Sequence, residues 1–257
     1  MNTSQYFTAF RTIVIKEVSR FARIWIQTIL PPAVSMTLYF VIFGSLIGPR
    51  IGQMDGFNYI QYIAPGIIMM SIINSSYANV VSSFFGAKFQ RHIEEMLVAP
   101  IPNIIILSGY ITGGIARGMM VGLVVTLVAL FFTELHIEHP LIVVTVVLLT
   151  STLFSLAGFI NGIFARKFDD IAIIPSFVLT PLIYLGGVFY SINLLPEFWQ
   201  TVSRLNPIFY MVNAFRYGML GVSDINIQSA FTIILIFTVA LFSLCLYLLN
   251  KGVGIKT

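Results

Sequence analysis

The sequence predicts an all-α polytopic membrane protein with six transmembrane helices, and three observations carry that prediction. Hydrophobic residues fill 58% of the 257 positions and charged ones only 9%, for a mean hydropathy of +0.93, well outside the balance of a soluble domain. Six stretches, 24–47, 59–85, 103–132, 140–164, 171–190 and 227–249, approach or exceed the roughly 20 residues that cross a hydrocarbon core as a helix. The basic residues also sort by side. Six crossings place Arg11, Lys16, Arg20, Arg23, Lys88, Arg91, Arg166, Lys167, Lys251 and Lys256, ten in all, against Arg50, Arg204 and Arg216 on the other face, with Arg117 inside a span. That asymmetry predicts both termini in the cytoplasm. The net charge of +4 therefore reflects topology, and no nucleic-acid partner is expected.

Residues 1–23 read as an amphipathic lead-in. Phe7, Phe10, Val14, Val18 and Phe21 recur at helical spacing among Arg11, Lys16 and Arg20, which predicts a helix lying at the membrane interface. The charges before the first apolar run, and the lack of a small-residue cleavage pattern after it, argue against a removable leader. Pro31 and Pro32 should kink the first span, because each lacks an amide donor. In the second span, Ser71, Asn74, Ser75, Ser76 and Asn79 should face other helices or a polar cavity, since lipid offers them no partner.

The third span carries Gly109, Gly113, Gly114, Gly118 and Gly122, which pair four residues apart and let another helix approach closely. The pattern leaves open whether that helix is internal or belongs to a second copy. Arg117 sits near the middle of this span. It must find a structural partner, reach water, or contact an anionic substrate or headgroup. The fourth span has a further pair, Gly158 and Gly162, beside Asn161. Pro175 and Pro181 make the fifth irregular.

Residues 191–224 are too interrupted to cross. They predict one or two helices at or dipping into the outer face, with Trp199, Phe209, Tyr210 and Tyr217 as interfacial aromatics. Here Asn206 should cap a helix opened by Pro207, with Arg216 anchoring its far end at the interface. A second reading of the same residues is a gate over an exit path. The last span, 227–249, is uninterrupted.

Residues 87–102, AKFQRHIEEMLVAPIP, form a charged island between two spans. On a helix Phe89, Ile93, Met96 and Leu97 share one side, with Gln90, Arg91, Glu94 and Glu95 mostly on others, and Pro100 and Pro102 close the segment. Such an element is either a connecting helix at the interface or a docking surface for another subunit.

Catalytic chemistry is not apparent. There is no G-x-x-x-x-G-K-S/T phosphate loop, no serine in a nucleophile-elbow pattern, and the His136/His139 pair is too closely spaced for a convincing metal site. No catalytic, cofactor-binding or metal residues are expected. The single cysteine, Cys245, reads as a small buried hydrophobe. The absence of matching halves and of deep acidic residues weighs against an ion-coupled secondary transporter, which stays, with a channel, as the alternative. Energy for transport against a gradient would then come from another subunit.

Two motifs carry a resemblance over the whole chain. Residues 89–100, FQRHIEEMLVAP, are similar to the cytoplasmic coupling region of the membrane permease subunits of bacterial ABC-2 type exporters. Residues 205–218, LNPIFYMVNAFRYG, resemble that family's late signature at Asn206, Pro207, Tyr210 and Arg216. The resemblance implies an inner-membrane permease that forms a homodimer among membrane lipids, bound to two separately encoded ATPase subunits. It implies a coupling helix at residues 88–97, with Lys88, Arg91, Ile93, Glu94, Glu95, Leu97 and Pro100 at the interface, and re-entrant outer helices at residues 196–217 with Trp199 among the gate residues. Asn74, Asn79 and Arg117 remain the polar groups within the membrane. The short outer loops depart from exporters with large outer domains, and the cargo stays open between lipid-linked glycans, lipids and drug-like molecules.

Overall fold

The computed structural model describes residues 3–254. It is built almost wholly of helices, with one two-stranded hairpin. Helix α1 (Thr3–Arg23) is followed by a broken helical segment: α2 (Trp25–Thr28), α3 (Leu30–Tyr39), a π-helical stretch (Phe40–Ile47) and α4 (Gly48–Ile51). Strands β1 (Gln53–Met54) and β2 (Phe57–Asn58) pair antiparallel around Asp55–Gly56, both at positive φ, the backbone that a tight two-residue hairpin requires. Then come α5 (Tyr59–Phe89), α6 (His92–Val98), α7 (Asn103–Ala129), α8 (Pro140–Phe164), α9 (Asp170–Ile174), a π turn (Pro175–Leu179) and α10 (Thr180–Tyr184). A 3-10 turn (Ile192–Leu194), α11 (Glu197–Arg204), α12 (Pro207–Leu220) and α13 (Ile227–Lys251) complete the chain.

Among the described residues, five helices are long and apolar enough to cross a membrane: Trp25–Ile51, Tyr59–Phe89, Asn103–Ala129, Pro140–Phe164 and Ile227–Lys251. The region 171–190, expected to be a further span, instead forms the short apolar helix Asp170–Tyr184, about 22 Å long at 1.5 Å per residue. Hydropathy alone could not locate its end. The chain turns at Gly186–Gly187, the latter at φ +73°, and a Cβ at Gly66 of α5 would collide with the Val188 backbone. In the first span the break falls at Ile29, and Pro31 and Pro32 occupy the first turn of the restarted α3, where a missing amide donor costs nothing.

Helix α5 is the hub, packed against α7, α8 and α12. Four of the five polar residues expected to face inward do so, Asn74 being the exception. Ser75, Ser76 and Asn79 are buried, Ser71 donates to the Ile68 carbonyl at 2.7 Å, and Tyr77 accepts from Asn161 Nδ2 at 2.7 Å. Between Gln61 and Lys88 the only α5 positions not fully buried are Asn74, Ala78, Ser82 and Gly86, a strict four-residue line along one edge.

The α7 glycines pack against helices of this same chain. A Cβ on Gly109 would lie 2.5 Å from Ile13 Cγ2, and one on Gly113 2.5 Å from Glu17 Cβ. Gly114 and Gly118 receive Ser155 and Ser76, and Gly122 receives Ile72. Helix α1 therefore runs alongside α7 and is not detached on a surface. Its outward positions include Arg11, Lys16, Ser19 and Arg23.

Candidate functional site

Three groups of residues singled out in the sequence lie in three different places. At one end of the bundle, α5 stops at Gln90 and Arg91 adopts the left-handed conformation, φ 62°. This reversal launches α6, whose first turn holds Glu94 and Glu95, favourably placed at the positive end of the helix dipole. Arg91, Glu94, Glu95 and Pro100 are exposed. Ile93 is 1% exposed and packs in a core cluster with Ile13, Phe84 and Ile106. That corrects its assignment to a partner-facing surface: the Ile93 side chain is already covered by its own chain. The side chain of Leu97 lies outside the described residues, as does Lys256.

Lys88 has a different task from its neighbours. Its ammonium donates to the Ile163 and Ala165 carbonyls, capping the end of α8, as cations do where helix carbonyls run out of partners. The following turn is held by Asp170, whose carboxylate accepts from the Arg166 and Lys167 amides at 2.8 and 3.0 Å. These two amides hold the Asp170 carboxyl below the usual carboxylate range. Between this turn and α6 lies a cleft of about 510 Å³, lined by Lys88, Phe89, Arg91, Glu94 and Arg166 among others.

At the opposite end, Asn206 caps α12. Its Oδ1 accepts from the Ile208 amide at 3.0 Å while Nδ2 donates to the Leu182 carbonyl at 2.6 Å. Pro207 opens that helix as predicted. Tyr210 donates to the Arg204 carbonyl at 2.7 Å, and Trp199, 44% exposed on α11, meets Phe198 edge to face. Two expectations are overturned here. Phe209 is fully buried and not interfacial. Arg216, at 1% exposure, is an internal clamp and not an anchor at the interface, because most of α12 packs into the bundle against α5, α8 and α13. Its guanidinium donates to the Gly187 carbonyl at 2.6 Å and lies over the Tyr62 ring.

The interior holds residues that sequence reasoning missed. Glu17 is fully buried, accepting from Ser83 Oγ at 2.7 Å and lying 3.6 Å from Arg20. Arg20 donates to the Asn79 carbonyl and side chain at 2.9 and 2.8 Å. Arg117, half-buried one turn along α7 from Gly113, stands within electrostatic reach of Arg20. Asn74, by contrast, bonds its own helix, at the Met70 carbonyl. The signal that locates Glu17 was present: Ile13 and Glu17 are four apart, as are the glycines they meet.

His139 stacks on Tyr217 at 4.9 Å, and among the described residues no cluster could hold a metal ion. Cys245 is buried.

Residues 8–220 match the family of ABC-2 type transporters. The chain belongs to that family. It is 55% identical over 252 residues to the inner membrane transport permease YadH of Escherichia coli strain K12, covering 98% of each chain. More distantly, it is 23% identical over 215 residues to nodulation protein J of Rhizobium leguminosarum bv. viciae, covering 83% of each. This ABC-2 protein is accordingly a multi-pass membrane transport permease. The capped α12 and the charged α6 are the segments that carried the resemblance.

Proposed function

We propose that this chain is the membrane-spanning half of an ATP-driven exporter, pairing with a second copy and taking its energy from separate ATPase subunits. The observation that carries the reading is the division of α6. Ile93 is fixed in the chain's own core while Arg91, Glu94 and Glu95 stand in solvent, so a push on the charged face passes directly into α1, α5 and α7. A rigidly rooted, charged helix at one end of a bundle is suited to transmit movement from a partner.

In this reading the short helix Asp170–Tyr184 completes a sixth crossing, α11 and α12 form the re-entrant outer segment around Trp199, Asn206 and Tyr210, and both termini are cytoplasmic. With Arg216 buried, the basic residues left outside are Arg50 and Arg204, which sharpens the charge asymmetry. The partly open line on α5 from Asn74 to Gly86 would border the path. The cargo class is amphiphilic: a lipid-linked glycan, a lipid or a drug-like molecule. The test is affinity purification of the full chain from mild detergent. Co-purification of an ABC ATPase, with no ATP hydrolysis by the permease alone, supports the reading. ATP turnover by this polypeptide alone, or a stable transport-competent protein without any ATPase, rejects it.

A further inference from the structure

The cleft between α6 and the turn after α8 gathers charge that its own walls do not balance. Lys88, Arg91 and Arg166 line it together with one carboxylate, Glu94. Among the described residues the ion pairs are those of Glu17 with Lys16 and Arg20, so no carboxylate is in contact with these three cations. The nearby Asp170 carboxylate is taken up by the backbone amides of Arg166 and Lys167. Lys88 is fixed in the wall by the Ile163 and Ala165 carbonyls. Arg91 and Arg166 are exposed, so both guanidiniums are open to a ligand.

The cleft also lies where two spans leave the membrane. At 31 and 25 residues, α5 and α8 run about 46 and 37 Å, beyond a hydrocarbon core of about 30 Å. Both end at this cleft, at Phe89 and Phe164. These two rings line it and stay 60% and 56% exposed, and Phe168 meets Phe89 edge to face at 5.0 Å. Exposed aromatics beside basic residues suit the headgroup layer, which offers both apolar and polar contacts. A soluble anion would meet the cations and leave the rings uncovered.

We infer that this cleft binds the headgroup of an anionic phospholipid, with Arg91 and Arg166 on the phosphate, Lys88 adding fixed positive charge, and Phe89 and Phe164 against the glycerol and the first acyl carbons. Guanidiniums suit phosphate because their planar donors match its oxygens. Basic pockets at the ends of spans attract acidic headgroups on the same grounds. The inference rests on α5 and α8 crossing the membrane and not on the exporter reading.

The test uses the full-length protein in neutral detergent, titrated with dihexanoyl phosphatidylglycerol and followed by thermal unfolding. Parallel titrations use dihexanoyl phosphatidylcholine, whose phosphate charge is balanced within the headgroup, and glycerol phosphate, which has no acyl chains. Phosphatidylglycerol should stabilise the wild type more than either. The substitution Arg166→Gln should weaken its apparent affinity about fivefold, the worth of one basic residue near an anionic surface, and Arg166→Lys should retain most of it. Glu94→Gln removes the opposing charge and should tighten binding. Arg11→Gln, at an exposed cation of α1 outside the cleft, should leave the titration unchanged. Equal response to phosphatidylcholine, an unchanged titration in Arg166→Gln, weaker binding in Glu94→Gln, or an equal loss in Arg11→Gln overturns the site. Stabilisation by glycerol phosphate equal to that by the lipid shows a soluble-anion site and overturns it too. If Arg166→Gln does not fold, the wild-type comparison and the Glu94→Gln and Arg166→Lys variants still decide.

An acidic segment of another protein is the competing occupant. A benzophenone-bearing phenylalanine analogue in place of Phe164, irradiated in intact membranes, should give adducts with the mass of a phospholipid. Their absence, or a protein adduct in their place, overturns the lipid site. An ATPase adduct would at the same time support the exporter reading, so the two proposals fail separately.

Discussion

The guanidinium carbon of Arg216 lies 4.0 Å from the centroid of the Tyr62 ring, and the same side chain donates to the Gly187 carbonyl at 2.6 Å. One residue of α12 thereby joins the start of α5 to the turn that follows α10. Buried charge is tolerated there because the ring face and the carbonyls receive it. The substitution Arg216→Ala would leave carbonyls unpaired and a hole against Tyr62. A loss of about 3 kcal/mol is expected, read as a lower unfolding temperature and lower abundance. Tyr62→Phe keeps the ring and should remain near wild type, whereas Tyr62→Leu should lose about 1–2 kcal/mol of the cation–π contact. Normal stability of Arg216→Ala with lost transport would instead make Arg216 a gate.

The glycines of α7 give a graded series. Gly113→Ala places a methyl group against Glu17 Cβ and Gly109→Ala one against Ile13, each at 2.5 Å, closer than packed atoms tolerate. Both should lift α1 from α7 and destabilise by about 1–3 kcal/mol. At Gly86 of α5 a Cβ meets nothing within 4 Å, so Gly86→Ala should be neutral or stabilise by up to about 1 kcal/mol through helix propensity. Cysteine accessibility along α1, measured at the half-buried Val14 and Val18, should rise in the first two variants and stay unchanged in the third. Equal effects at all three positions would remove the close α1–α7 approach as the cause.

How much of this was legible in the sequence depended on the kind of signal. Long apolar runs and the Asn206–Pro207 cap are local signals: the cap falls where its residues predict, and five of the six apolar runs coincide with helices long enough to cross. Asp170–Tyr184 was overestimated because a hydropathy window counts apolar residues without registering that Gly186–Gly187 turns the chain. Glu17 was missed for another reason: its four-residue spacing from Ile13 matches the glycines, but an amphipathic pattern identifies a face to be covered and not the covering element, and a carboxylate on that face reads as solvated. Phe209 and Arg216 were misplaced because aromatic and basic residues near a membrane boundary suit the interface and an enclosed cation–π clamp equally well. Burial decides between the two, and only tertiary packing sets burial.

At α6 the two faces should respond differently. Ile93→Ala removes buried volume from the cluster containing Ile13, Phe84 and Ile106, so a cost of about 2–4 kcal/mol to folding is expected. The pair Glu94→Lys and Glu95→Lys alters exposed positions and should change unfolding by no more than about 1 kcal/mol, the scale of unfavourable charges in a helix's first turn. Its effect should fall on co-purification of the ATPase. If the charge reversals leave the ATPase yield untouched, the docking surface lies elsewhere, with the cleft between α6 and Arg166 as the next region to probe.

Arg91 offers a way to separate folding from coupling at one residue. Its left-handed backbone, φ 62°, falls directly after the α5 cap, where glycine or asparagine ordinarily relieves the strain that a Cβ imposes. Arg91→Gly should therefore stabilise the isolated permease by about 1 kcal/mol, and Arg91→Asn should give part of that gain. Both remove an exposed cation next to Glu94, so a coupling role predicts weaker ATPase association in a protein that unfolds at a higher temperature. A merely structural Arg91 predicts the stability gain with association unchanged. Arg91→Lys preserves charge and strain together and should match the wild type in both measurements. Were Arg91→Gly to unfold earlier than the wild type, the side chain would be contributing more to the fold than its exposed position allows, and the strain argument would be wrong.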